Sequence, residues 1–453
     1  MGIPSMVVTR QGFTQLVINA YAGYGFPPEA PTIYEFPIEM FLKGSDLTPL
    51  RENIDKVVYG LTKWEAKNKS KGIFNPGTKI TVQGKDYQDA VDKLNQTFMK
   101  NNWSDGLPIT PATQERVDWI LTGTELPRST PVGTGKILPR GGIATVEALA
   151  VQLAMAGGRP EYLPVLIAAV DALTVPEAMH SDWNATTVSN WPAVIVSGPM
   201  ANQIRLNSSY GMLGPDPAHP AGGPIGRALR FVLQNLGGAV PGQGTMANFG
   251  QMRFTNSVFA EDLDGYPKSW KTLAEDLGFK RDQNILTVFP VSSSDNVNQT
   301  RTDAKEGLEQ EVKYLARVAS TMQTTGAQLL GSKPDPKSRS GIVILCSVRA
   351  GMLDSFGYNK DKIEAFLLEN SKISWEDLVK AGQTNEVGGV KGTSLSIGKP
   401  IIIVGGGAQS GHTHWMQSGK KNIPETKEIQ LPKNWDQLIK AAETDLGPIP
   451  VDK

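Results

Sequence analysis

KPIIIVGGG, residues 399–407, and its counterpart GIVILC, residues 341–346, are bare apolar runs of strand length. A strand without polar alternation has to be covered on both faces, as central strands of α/β sheets are. A third such run, AVIVSG at 193–198, leads into a glycine-, proline- and asparagine-rich stretch ending at Gly226, after which RALRFVLQNL resumes as a helix. Upstream, VEALAVQLAMAGGRPEYLPVLIAAVDAL, 146–173, gives two all-apolar and therefore buried helices, broken by a Gly-Gly-Arg-Pro turn. Leu308, Val312, Leu315 and Met322 mark an amphipathic helix between the strands.

The beginning of the chain reads differently. Ile3 to Val8 suits a buried strand with a helix-compatible stretch from Gln11, and Thr32 to Pro37 is a second extended piece. The opening strand has no hairpin partner, so the chain is expected to start in mid-fold. Leu50, Ile54, Val57, Val58 and Leu61 recur at helical spacing on a polar background, which predicts a surface helix. Lys67 to Gly84 reads as an exposed connector or hairpin before a helix over 86–100. The expected fold is α/β, with mixed or parallel sheets covered by helices in two or three units. These are a partial α/β unit with a connector over 1–100, completed by another chain; a main α/β domain over 101–340; and a C-terminal α/β portion over 341–453 packed on it. No internal repeat is legible, which argues against a solenoid.

Lys plus Arg and Asp plus Glu both number 45 in a chain of 453 residues, so no excess positive field exists to hold nucleic acid or an acidic membrane. A neutral balance favours small-molecule chemistry. Cys346 is the only cysteine, which excludes an intrachain disulfide and suits a reducing compartment. The N-terminus lacks a basic segment followed by an apolar run, and no stretch approaches the ~20 apolar residues of a membrane span. A cytoplasmic location is the expectation.

Three stretches carry candidate chemistry. Trp103, Asp105, Gly106 and Pro108 form a dense turn that can aim a carboxylate at a pocket, although an Asp that caps its own turn gives the same pattern. The run from His180 to Arg227 holds Asp182, Asn184, Thr186, Thr187, Asn207, Ser208 and Ser209. A loop that long is uncommon unless it serves a site, and its position before a helix offers backbone N–H groups to an anion. Arg227 is the candidate partner for a carboxylate, against the plainer reading of a helix-surface arginine. In the third, Gly405, Gly406 and Gly407 follow a strand and would let backbone approach a ligand, while His412 and His414 stand two apart as a metal pair would. Zinc would need a further ligand from His180, His219 or a carboxylate, so no metal is expected. The glycines lack the dinucleotide-binding spacing, and no cofactor is assigned. Cys346 closes an apolar strand and reads as a small hydrophobe.

Across these residues the chain resembles the UGSC family of (seleno)proteins, named for a selenocysteine or cysteine motif and associated with thiol-dependent reductases. The segments that carry the resemblance include GIPSMVVTRQGF, NNWSDGLPITPAT, VSGPMANQIRLNSSYGMLG, PIGRALRFVLQNLGG, the FAED around Glu261 and VGGGAQSG. Together they span most of the chain. In that family the UGSC motif lies just upstream of the segment matching GIPSMVVTRQGF, which here is the N-terminus itself. Family cysteines near Gly157 or Gly158 and near Ser257 are also replaced. The resemblance implies a smaller partner subunit that brings the cysteine or selenocysteine.

The leading expectation is an enzyme subunit acting on a small, carboxylate-bearing substrate. The reaction is either a thiol- or selenol-assisted reduction or a lyase or hydratase step. His180 would be the general acid or base and Asp105 its partner. Trp103, Thr186, Asn207, Ser208, Arg227, Gly405 and Gly406 would contact the substrate. The alternatives are a non-catalytic scaffold or binding subunit and, last, a metal-dependent hydrolase using His412 and His414.

Overall fold

The computed structural model describes residues 4–30, 32–37, 40, 44–64, 79–250, 257–297, 305–321, 327–329, 336–380, 395–408, 412–419 and 423–449. Most of the expected connector at 67–84, and Met322 of the amphipathic helix, lie outside them.

The chain opens with β1 (Val7–Arg10), α1 (Thr14–Gly23) and β2 (Ile33–Phe36), a β-α-β unit whose two strands pair in parallel, Val7 opposite Ile33. The opening strand therefore has a partner, reached through a helical crossover rather than a hairpin. Two short helices follow, α2 (Thr48–Glu52) and α3 (Ile54–Thr62), the second buried only at Gly60, where a Cβ would collide with the Met6 side chain.

Next come α4 (Tyr87–Lys100), capped by Asp86, and α5 (Gln114–Leu121), capped by Thr113. The hairpin β3 (Pro131–Ile137) and β4 (Gly142–Thr145) leads into α6 (Val146–Met155) and α7 (Leu163–Thr174), which are buried on nearly every side as their apolar composition requires. Among the described residues no single helix is long and apolar enough to cross a membrane. The bent pair 160–174 and 176–182, which matches a span only by length and composition, turns by 74° and lies largely in the interior.

After α8 (His180–Ala185) the first central strand begins: β5 (Trp191–Ser197), then α9 (Met200–Gln203) and α10 (Gly222–Phe231). β6 (Val258–Ala260) follows, then α11 (Leu273–Asp276) and the long β7 (Ile285–Val297). α12 (Lys305–Thr321) and β8 (Ala327–Leu329) precede β9 (Gly341–Leu345), α13 (Ser347–Ser355), α14 (Lys360–Asn370) and α15 (Trp375–Lys380). The chain then forms β10 (Leu395–Ile397), β11 (Ile401–Val404), β12 (Thr413–Ser418), β13 (Glu425–Glu428) and α16 (Trp435–Leu446).

The architecture is α/β, with one mixed seven-stranded sheet in the order β11-β9-β12-β7-β5-β6, β13 adding to β7, and helices on its flanks. Residue 340, expected as a boundary, falls within the chain that builds this sheet: β5, β6 and β7 come from before it, and β9, β11 and β12 from after it.

A two-fold pattern organises the strands. β6 lies parallel to β5 while β7 lies antiparallel on the other side of β5; β11 and β12 flank β9 in the same way, and β7 pairs with β12 at the join. The registers Val196↔Ala260 and Leu345↔Val404 make Ser197 equivalent to Cys346, and Glu261 to Gly405. The repeat lies in strand order and direction and not in residue identity, which is why reading the letters missed it.

Alternation across each strand sorts the core into three clusters. Val194, Val196, Val258 and Ala260 pack on α6, α7 and α10, while Val343, Leu345, Ile402 and Val404 pack on α12, α13 and α14. The opposite faces of both halves, including Ile195, Phe259, Phe289, Ile344, Ile403 and Met416, form one shared cluster between them. Each fully buried aliphatic side chain there contributes roughly 1.5–3 kcal/mol.

Candidate functional site

The residues singled out in the sequence fall into three groups. In the first, Arg227 on α10 meets Asp105 side-on, Nε to Oδ2 and Nη2 to Oδ1 both at 2.8 Å. Nη2 also donates to the carbonyls of Leu107 and Pro108, and the guanidinium lies over the Phe231 ring. Trp103 packs edge-on against Phe98, and its carbonyl accepts from Asn235. Asp105 thus pairs with Arg227 and not with His180, and Arg227 is already neutralised, leaving it no open charge for a substrate carboxylate.

His180 forms the second group. It is buried, its Nε2 accepts the Leu138 N–H at 2.9 Å, and the other ring nitrogen faces the Leu173 carbonyl. Burial drives its pKa down to about 4, the Leu173 hydrogen bond opposing only weakly, so the ring is a neutral brace for the backbone. Neither nitrogen is turned toward a ligand. Thr186 accepts from the Val188 N–H in a local turn.

The third group brings together Asn207, Ser208, Gly405 and Gly406. The Gly406 N–H donates to the Ser208 carbonyl at 2.8 Å, and the Asp262 N–H donates to Val404, so the C-terminal tips of β6 and β11 meet here. Gly407, at φ +86°, lies against the Tyr210 ring, and its carbonyl accepts from the Ser347 N–H at the start of α13. Arg205 ties the loop to the C-terminus of α16 by donating to the carbonyls of Leu446, Gly447 and Pro448.

Asn207 extends this group to a pair that reading the sequence did not assemble. Its Nδ2 donates to the Tyr210 carbonyl and to Asp216 Oδ2, and Asp216 Oδ2 stands 2.6 Å from His219 Nδ1. The Ala218 N–H holds the other carboxylate oxygen. Burial pushes the Asp216 carboxyl up, but the hydrogen bonds from His219 and the backbone outweigh it and hold the group below its usual range. An ionised Asp216 only accepts, so Nδ1 of His219 carries the proton. Among the described residues nothing bonds its Nε2. His219 stands three residues before Gly222, and α10 starts on Ala221 without a side-chain cap. No cap side chain accepts from the first N–H groups of that helix, and the positive end of its dipole favours an anion. The available sequence signal was the spacing Asp216-Pro217-Ala218-His219, a carboxylate three residues before an imidazole in a proline-stiffened turn.

His414 Nε2 lies 2.6 Å from Ser294 Oγ and His412 Nδ1 lies 3.4 Å from the Asn296 amide, so the two histidines engage separate residues of β7. Among the described residues no three His, Cys, Asp or Glu side chains gather as a metal site would need. Cys346 is buried. Glu261 accepts from Ser197 Oγ, Tyr266 Oη and the Leu273 N–H, and burial raises its pKa above the ordinary carboxyl value. A cavity of about 10 Å³, room for a single water, lies against Glu311 and Arg349, which pair with each other at 3.0 Å.

No protein-family model matches the chain, and comparison with curated proteins finds no match.

Proposed function

We propose that the chain is an enzyme subunit that moves a proton on a small carboxylate-bearing molecule, a lyase or hydratase step, with His219 as the general base. The observation that carries this reading is the Asn207–Asp216–His219 chain of hydrogen bonds, which fixes the imidazole tautomer and leaves Nε2 unengaged. A base whose other nitrogen is held by a carboxylate is oriented and stabilised when it takes up a proton. The general-base role expected of His180 passes to His219, and the anion-holding role expected of Arg227 passes to the backbone at the start of α10. The test is incubation in D2O with a panel of small 2-hydroxy and 2,3-unsaturated carboxylic acids, read by NMR for deuterium at the carbon next to the carboxylate or for hydration. His219→Gln should abolish exchange and Asp216→Asn should lower it by roughly 10²–10⁴-fold. Exchange that persists in His219→Gln would remove the assignment.

A specific observation favours a second feature, a partner chain. The β1–β2 sheet has no further strand at either edge among the described residues, and α3 exposes Ile54, Val58 and Leu61 while Val57 and Gly60 turn inward. A two-stranded parallel sheet is rarely sufficient by itself. A smaller subunit that pairs with this unit and carries a cysteine or selenocysteine would supply the reductive chemistry implied by the resemblance to UGSC proteins. Without reactive groups on either chain the complex would be a scaffold. Native mass spectrometry of the complex from its source decides: a second, smaller chain supports the partner, and a homo-oligomer removes it.

A further inference from the structure

Two arginines and one carboxylate meet around α10. Asp105 gives both oxygens to Arg227 at 2.8 Å, and the neighbouring Arg230, one turn along the same helix, is left with a single hydrogen bond, Nη1 to the Ala239 carbonyl at 3.0 Å. No carboxylate of the described residues forms an ion pair with Arg230. Asp105 raises its pKa from a distance, but burial prevails and drives it down to about 10. The local sum among the described residues is one surplus positive charge on a half-buried side chain, which favours an opposite charge beside it.

The Arg230 side chain lines a cavity with Pro192, Gly226, Leu229, Leu233, Ser257 and Val258. It lies at the starting ends of β5 and β6, whereas Asn207 and Ser208 meet the finishing ends of β6 and β11. Ser257 Oγ accepts the Trp191 Nε1–H at 2.6 Å, and among the described residues its own proton has no acceptor. The cavity thus presents a guanidinium and a hydroxyl donor, with apolar side chains around them. Its interior volume is about 10 Å³, room for a single occupant of roughly water size.

We propose that this cavity is a binding site for a single halide-sized monovalent anion, held by the Arg230 guanidinium and the Ser257 hydroxyl. The donors supply charge and direction, the apolar walls suit a weakly hydrated monatomic ion, and the space excludes acetate, phosphate and sulfate. Occupation neutralises the surplus charge and pins α10, the helix that starts three residues after His219.

The test uses the intact protein. Thermal unfolding is followed while chloride or bromide replaces gluconate at constant ionic strength and constant pH, with acetate and sulfate as parallel arms. The expected result is a saturable rise in Tm with chloride and bromide and none with acetate. Arg230→Met should lose that rise, Arg230→Lys should keep part of it, and Ser257→Ala should need several-fold more halide. Bromide-soaked crystals of the wild type provide an arm that needs no variant: an anomalous peak is expected between Arg230 and Ser257. A Tm that is indifferent to halide, an equal response in Arg230→Met, or a cavity without bromide, holding water alone, would each overturn the proposal.

Discussion

Asp105 and Arg227 are separated by 122 residues of chain yet meet through two parallel hydrogen bonds of 2.8 Å. The carboxylate is almost wholly buried and the guanidinium about one-sixth exposed, so the pair fastens the turn after α4 to α10 in surroundings that water hardly screens. Asp105→Asn leaves two guanidinium groups around α10 without a carboxylate. The expected cost is about 3 kcal/mol, the low end for breaking a buried pair. Urea unfolding of the single variants and of Asp105→Asn combined with Arg227→Met measures it; the double variant should recover part of the loss.

His180 sets a pH dependence. Its folded pKa of about 4 lies below the 6.5 of an unperturbed imidazole, so the unfolded chain binds the proton first. The stability it contributes is complete above pH 6.5 and is lost as pH falls from there toward 4, at up to about 1.4 kcal/mol per pH unit. His180→Gln, whose side-chain carbonyl can still accept from Leu138, should flatten the Tm-against-pH curve in that window. In NMR spectra of the wild type the ring should remain neutral at pH 5.5.

Glu261 acts in the opposite sense. Burial raises its pKa, so the unfolded chain gives up the proton first, and stability falls as pH rises above the ordinary carboxyl value of 4.5. Glu261→Gln can accept from Tyr266 and Leu273 through its carbonyl and donate to Ser197 through its amide. It is expected to raise Tm relative to wild type at pH 8 and to have less effect at pH 4. Glu261→Leu, which strands three donors, should destabilise at both.

Gly198 and Gly406 separate backbone strain from collision. Both have positive φ, +108° and +88°. A Cβ on Gly406 would meet only Met212 Sδ, at 3.9 Å, so Gly406→Ala should cost about 1–2 kcal/mol of conformational strain. A Cβ on Gly198 would lie 2.6 Å from Asn284 Oδ1 and from the Gln283 carbonyl, and Asn284 Oδ1 is the acceptor that holds the Met200 N–H. Gly198→Ala should therefore cost distinctly more, as comparison of the two unfolding midpoints would reveal.

What the sequence determined by itself was local. The bare apolar runs at 193–198, 341–346 and 399–407 are strands, the two halves of 146–173 are buried helices, and the class is α/β, because hydrophobic periodicity and turn residues act over a few neighbours. It also singled out the run from His180 to Arg227 as a candidate site, since so long an irregular stretch is uncommon.

Tertiary structure alone decided which side chains meet. It gave Asp105 to Arg227, buried His180 against backbone, drew Asn207, Asp216 and His219 into one chain of hydrogen bonds, and joined two three-stranded halves through β7 and β12. These contacts depend on register and packing between segments tens to hundreds of residues apart, and a pairing at that distance imposes no periodicity on the residues near it.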